Sequence, residues 1–125
     1  MHHLALGAFD VDRVAVFYEQ ALGLVRLQEN KDAAGQLRSI WLRVGIGMVL
    51  MIERTEKPRP PDRAEAGVVP GWFLLAFAVS VAERSAAEGR LEQAGTVVES
   101  RTEFSSYARD PEGNRFAISC YPFPE

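Results

Sequence analysis

The sequence predicts an α+β domain of two tandem βαβββ modules, whose sheets join into a cupped, barrel-like mixed sheet around a central cleft. Three observations carry this reading. The order strand, helix, three strands occurs twice within 125 residues. One constant shift lays His3-Leu4-Ala5-Leu6 on Leu74-Leu75-Ala76-Phe77 and Asp12-Arg13 on Glu83-Arg84, and one further residue aligns Gly23 with Gly95. Each helix is also bracketed alike, by a side-chain N-cap acceptor before it and a glycine after it. An internal duplication is the simplest account. A single module would leave one sheet face exposed, so two modules are expected to cover each other. A ferredoxin-like or other α+β domain with chance similarity is the competing reading.

In chain order, His3–Ala8 reads as a short, largely buried strand, and Asp10 supplies the acceptor for the next helix. Val14, Phe17, Tyr18, Ala21 and Leu22 recur at three- and four-residue spacing, which makes one apolar helix face ended by Gly23. Strands follow at Leu24–Gln28, Leu37–Val44 and Met48–Glu53, separated by a polar turn at Asn30–Gly35 and by Gly45-Ile46-Gly47. Module one thus spans 1–54. Residues 55–70, rich in proline and charge, read as an exposed linker.

Module two spans 71–125. Trp72–Val79 reads as a strand, and Ser80 with Glu83 has capping-box spacing before a helix that runs to about Ala94. Thr96–Arg101, Ser105–Arg109 and Arg115–Tyr121 supply three more strands. The last two are joined by Asp110-Pro111-Glu112-Gly113-Asn114, a turn in which Pro111 fixes φ, Gly113 tolerates positive φ, and Asp110 and Asn114 can bond local backbone.

Composition narrows the partners. A formal net charge of -3 with no Lys/Arg block offers no electrostatic footprint for nucleic acid or a membrane surface. A single cysteine cannot form an internal disulfide, and no signal-type segment or membrane-length apolar run is present, which fits a cytoplasmic setting.

Several stretches together resemble the vicinal oxygen chelate superfamily, the glyoxalase, bleomycin-resistance and extradiol-dioxygenase group. They are His3-Leu4-Ala5-Leu6, Phe17-Tyr18 followed by Leu22-Gly23-Leu24, Phe77-Ala78-Val79, and the closing Asp110-Pro111-Glu112-Gly113-Asn114-Arg115. The resemblance implies a paired βαβββ fold that holds either a divalent metal with a chelating substrate or a metal-free ligand, and it implies a homodimer. The metal-binding positions of such relatives fall on His3, on Leu50 or its immediate neighbours, on Leu74 and on Ala117. Only His3 among them can coordinate an ion, because apolar side chains offer no donor. Glu53 lies three residues beyond the expected place and reads as an exposed strand-end acid. No metal is therefore expected at these positions. For His3 a hydrogen-bonded strand histidine or a ligand-contacting one is favoured over coordination.

The expected ligand-lining residues are His3, Trp41, Leu50, Leu74, Ser105, Tyr107, Ala117 and Ser119. Strand parity adds Ala5 and Arg115 to the face of His3 and Ala117, and places Ser39 and Arg43 with Trp41. Trp41 and Tyr107 occupy matching places in the two modules, where they serve either as stacking platforms or as core filling. No P-loop, nucleophile elbow or other catalytic set occurs, and the catalytic residues are unassigned. Tyr107 and His3 are the acid/base groups the cleft offers. The expected function is metal-independent binding of a small, aromatic or antibiotic-like molecule. The alternative is a glyoxalase-like lyase or isomerase, or a ring-cleaving dioxygenase, with an atypical metal site.

Overall fold

The computed structural model describes residues 2–60 and 70–122. The chain divides into two compact units, 1–60 and 61–125. The first contains β1 (His3–Ala8), α1 (Val11–Leu22), β2 (Val25–Lys31), β3 (Leu37–Arg43) and β4 (Val49–Arg54). The second contains β5 (Leu75–Ala78), α2 (Val81–Gln93), β6 (Ser100–Arg101), β7 (Ser105–Arg109) and β8 (Arg115–Ser119). Each unit is one four-stranded mixed sheet, in the orders β1-β4-β3-β2 and β5-β8-β7-β6, with its outer first strand parallel to the last. The two βαβββ units share one topology, as the repeat predicts. No described helix is long and apolar enough to cross a membrane.

Local chemistry sets the helix ends. Asp10 is extended and its carboxylate accepts from Arg13 N at 3.1 Å, while Gly23 at φ 70° closes α1. Ser80 Oγ accepts from Glu83 N at 3.2 Å, the first half of the expected capping box. Val14, Phe17, Tyr18 and Ala21 are buried and pack α1 against β3 and β4, whose Ile40, Leu42, Leu50 and Ile52 complete the first core. In the second unit α2 lies on β8, and Ala87, Leu91, Phe77, Phe116 and Ile118 are buried.

Several boundaries differ from the sequence reading. β2 runs on to Lys31, because Glu29, Asn30 and Lys31 still pair with Ile40, Ser39 and Leu37 of β3; within it the Arg26 guanidinium reaches Glu19 at 2.5 Å and Asp12 at 3.3 Å on α1, and Glu29 at 2.7 Å. Burial works against that charge, but Glu19 and then Glu29 and Asp12 outweigh it and raise its pKa above the ordinary arginine value. β5 begins only at Leu75, leaving Trp72 and Phe73 outside it and exposed. β6 shrinks to two residues; the stretch before it follows β7 irregularly, through Glu99 N to Tyr107 O at 2.8 Å and Thr96 Oγ1 to Arg109 O at 2.7 Å. β1 is half-exposed rather than largely buried, since an outer strand has a neighbour on one side only. Part of the expected linker, 61–69, lies outside the described residues.

The β7–β8 turn forms as expected. Asp110 Oδ1 accepts from Glu112 N at 2.9 Å and Asn114 N at 3.0 Å, Oδ2 accepts from Asn114 Nδ2 at 2.9 Å, and Gly113 takes φ 88°.

Glu88 of α2 ties the helix to this sheet. It accepts from Arg101 Nε and Ser106 Oγ, both at 2.7 Å, and the Arg101 guanidinium above all holds its carboxyl below the ordinary 4.5. A depressed folded pKa contributes stability that is fully present above the unfolded value and lost as pH falls through the folded one. Urea midpoints are therefore expected to drop from about pH 5 to about pH 3, less steeply in Glu88→Gln. An unchanged slope in that variant would show that other carboxylates carry the acid sensitivity.

Candidate functional site

In each unit one sheet face is packed by the helix and the other is free of it, and strand register sorts the candidate residues between these faces. In the first unit the helix-free face consists of three cross-strand rows. His3, Val49 and Arg43 form one row; Ala5, Met51, Trp41 and Gln28 the next; Gly7, Glu53, Ser39 and Asn30 the third. In the second unit the row Ala76, Ala117, Tyr107 and Ser100 corresponds to the middle one, and Ala78, Ser119 and Ser105 lie beside it. Ala5 and Ala76 are equivalent in the internal repeat, so Met51 corresponds to Ala117, and Trp41 to Tyr107.

This register corrects one expectation. Leu50 pairs with Leu4 and Leu42 on the helix-packed face, where it is 2 % exposed, so it belongs to the core. Side chains of successive strand residues point to opposite faces. On β4 the helix-free face is therefore taken by its neighbours Val49 and Met51, both half-buried. Glu53 also differs from expectation. It is half-buried within β4 on the helix-free face, and it makes no hydrogen bond or ion pair with any described residue.

The other candidates lie as follows. His3 is exposed at the start of β1, with Nδ1 2.7 Å from Nδ1 of His2. Trp41 is half-buried, and its indole Nε1 is buried without a hydrogen-bond partner. Leu74 is half-buried just ahead of β5. Ser105, Tyr107, Ala117 and Ser119 come together on the helix-free face of the second sheet. There Ser105 Oγ donates to Ser119 Oγ at 2.8 Å, Tyr107 is half-buried and Ala117 is buried. Arg115 lies 4.7 Å above the ring of Phe73, a cation–π contact. The sequence reading sets Glu53 aside as a strand-end acid and includes Met51 only as a neighbour of Leu50; the pairing register puts both on the face of Trp41.

The side chains present do not suit a divalent ion at the superfamily's usual places. Beside His3 on the same face stand Val49 and Met51, and Glu53 is four residues further along β4 than Val49, roughly 13 Å away at strand rise. The corresponding positions of the second unit are Leu74, Arg115, Ala117 and Ser119. Among the described residues no group of three or more His, Cys, Asp or Glu converges to hold a metal.

Topology and motif together define a protein of the glyoxalase and vicinal oxygen chelate class. Residues 3–119 match the family model described as a glyoxalase-like domain, and the chain belongs to that family. Solved structures agree on the fold. A glyoxalase/dioxygenase from Nostoc punctiforme is 22% identical, with 98% of this chain and 90% of that chain covered and a TM-score of 0.80. A variant of the fosfomycin resistance protein FosX from Listeria monocytogenes, complexed with Mn(II) and 1S,2S-dihydroxypropylphosphonic acid, is 14% identical, with 98% and 93% covered and a TM-score of 0.77. A lactoylglutathione lyase from Agrobacterium tumefaciens is 22% identical, with 95% and 91% covered and a TM-score of 0.64. No curated protein sequence matches the chain.

Proposed function

We propose that this member of the glyoxalase-like family is a metal-independent binding protein for a small aromatic molecule. The observation that carries the reading is the pair of equivalent rows, Ala5-Met51-Trp41 and Ala76-Ala117-Tyr107. Each joins a half-buried aromatic ring to apolar neighbours, and one neighbour in each row, Met51 or Ala117, stands at or beside a position that the resemblance assigns to a coordinating side chain. An aromatic platform with apolar surroundings and a few hydroxyls grips a flat ligand by stacking and burial, and it gives an ion nothing to bind. On the first unit's face His3, and on the second unit's face the bonded hydroxyls of Ser105 and Ser119, are the polar groups that would orient a ligand held there.

Two measurements test this. Protein dialysed against buffer without chelator should contain no stoichiometric Zn, Ni, Mn or Fe by elemental analysis; a tightly held equivalent of any of them overturns the proposal. Trp41→Ala should weaken an aromatic ligand found by thermal-shift screening by about 1 kcal/mol or more. Unchanged affinity would assign Trp41 to the core alone.

A further inference from the structure

We infer that the ligand is a cation: the helix-free face of the first sheet is built to take a small aryl-ammonium or aryl-amidinium group, with Trp41 under the ring and Glu53 pairing the charge. This inference rests on the binding function proposed above and names its ligand class. Glu53 lies across from Ser39, and Trp41 is two residues along β3 from Ser39, so the carboxylate and the indole are diagonal neighbours. Such positions are about 7–8 Å apart at Cα, within reach of one small ring bearing one charged group.

Glu53 is half-buried and makes no hydrogen bond or ion pair with any described residue, so its carboxylate is left available to a charged group on the ligand. The polar residues of its own row, and Gln28 of the next, are engaged with one another instead. Asn30 Nδ2 donates to Ser39 Oγ at 2.9 Å, and Gln28 Nε2 donates to Asn30 Oδ1 at 2.7 Å. On the β1 side of Glu53 stands Gly7, so no side chain covers the acid from that strand, and Ala5 and His3 beyond it are exposed.

Charge also fixes the direction of binding. Arg43, exposed, lies two residues from Trp41 on the side away from Ser39 and Glu53. A cationic group is repelled from that end of the row and drawn to the other. A tryptophan face adds its own attraction for cations, most strongly when water is excluded.

The test uses Trp72→Phe protein, in which Trp41 is the remaining tryptophan; Trp72 is 91% exposed and lies outside the proposed site. Trp41 fluorescence is titrated with benzamidinium, neutral benzamide and benzoate, then repeated in Glu53→Gln. Benzamidinium is expected to bind about tenfold tighter than benzamide, with benzoate weakest, and Glu53→Gln should abolish that preference by weakening benzamidinium to the level of benzamide. Equal binding of the three probes, or a preference that survives Glu53→Gln, overturns the cation assignment and leaves aromatic binding standing. Failure of every probe to bind overturns both. Circular dichroism of Glu53→Gln identifies a misfolded variant, and Glu53→Asp, which keeps the charge, must then retain a reduced preference for the cation.

Discussion

Leu50→Ala is expected to lower stability by about 2–5 kcal/mol, while Met51→Ala, one residue on, should cost much less and act on ligand affinity. Leu50 is fully enclosed, paired across the sheet with Leu4 and Leu42 under α1, so deleting its branched end leaves a cavity that rigid neighbours fill poorly. Met51 faces the other way and keeps partial solvent contact, so its truncation removes less packing. Urea denaturation of both variants measures the difference. If Met51→Ala proves as damaging as Leu50→Ala, the two faces of β4 have been interchanged, and the ligand row built on Met51 and Trp41 goes with them.

Arg84→Ala should cost about 1–3 kcal/mol and loosen the connection between β6 and β7. From α2, the guanidinium donates to Ser106 Oγ at 3.0 Å and to the carbonyls of Glu103, Thr102 and Ser105 at 2.7, 3.0 and 2.7 Å. One side chain thereby satisfies three backbone acceptors in a turn that is also held by Thr102 N to Ser105 O, Ser105 N to Thr102 Oγ1 and Cys120 N to Phe104 O. The part-buried Ser105 carbonyl is the acceptor least able to turn to water instead. Arg84→Lys should recover little, because one ammonium cannot reproduce a planar fork reaching four acceptors. Hydrogen exchange should quicken first at Thr102 and Ser105, before β8 is affected. A variant with wild-type exchange there would show that the turn holds itself.

The consequence reaches the candidate site, because β7 carries Ser105 and Tyr107. On its outer side that strand is held by β6 and by the bonds from Thr96 and Glu99. On its other flank it pairs with β8, and the tie from α2, in which Arg84 grips the turn and Glu88 grips Ser106 and Arg101, adds to both.

Much of this was legible in the letters. Asp10, Ser80, Gly23, Gly95 and the Asp110–Asn114 turn act through backbone groups a few residues away, so their chemistry is local and a linear reading captures it. The repeated order of strands and helix is likewise a property of periodicity, which the chain carries along its length. By itself, then, the sequence determined the paired βαβββ plan, the family, and the apolar character of three of the four usual metal positions. Tertiary structure alone decided the pairing register, which sends Leu50 into the core, puts Met51 and Glu53 on the face of Trp41, and leaves that carboxylate without a partner among the described residues. Which residue of a strand faces which side depends on its alignment with a neighbour far away in the chain. A slip of one residue reverses every side chain, and no local propensity records it.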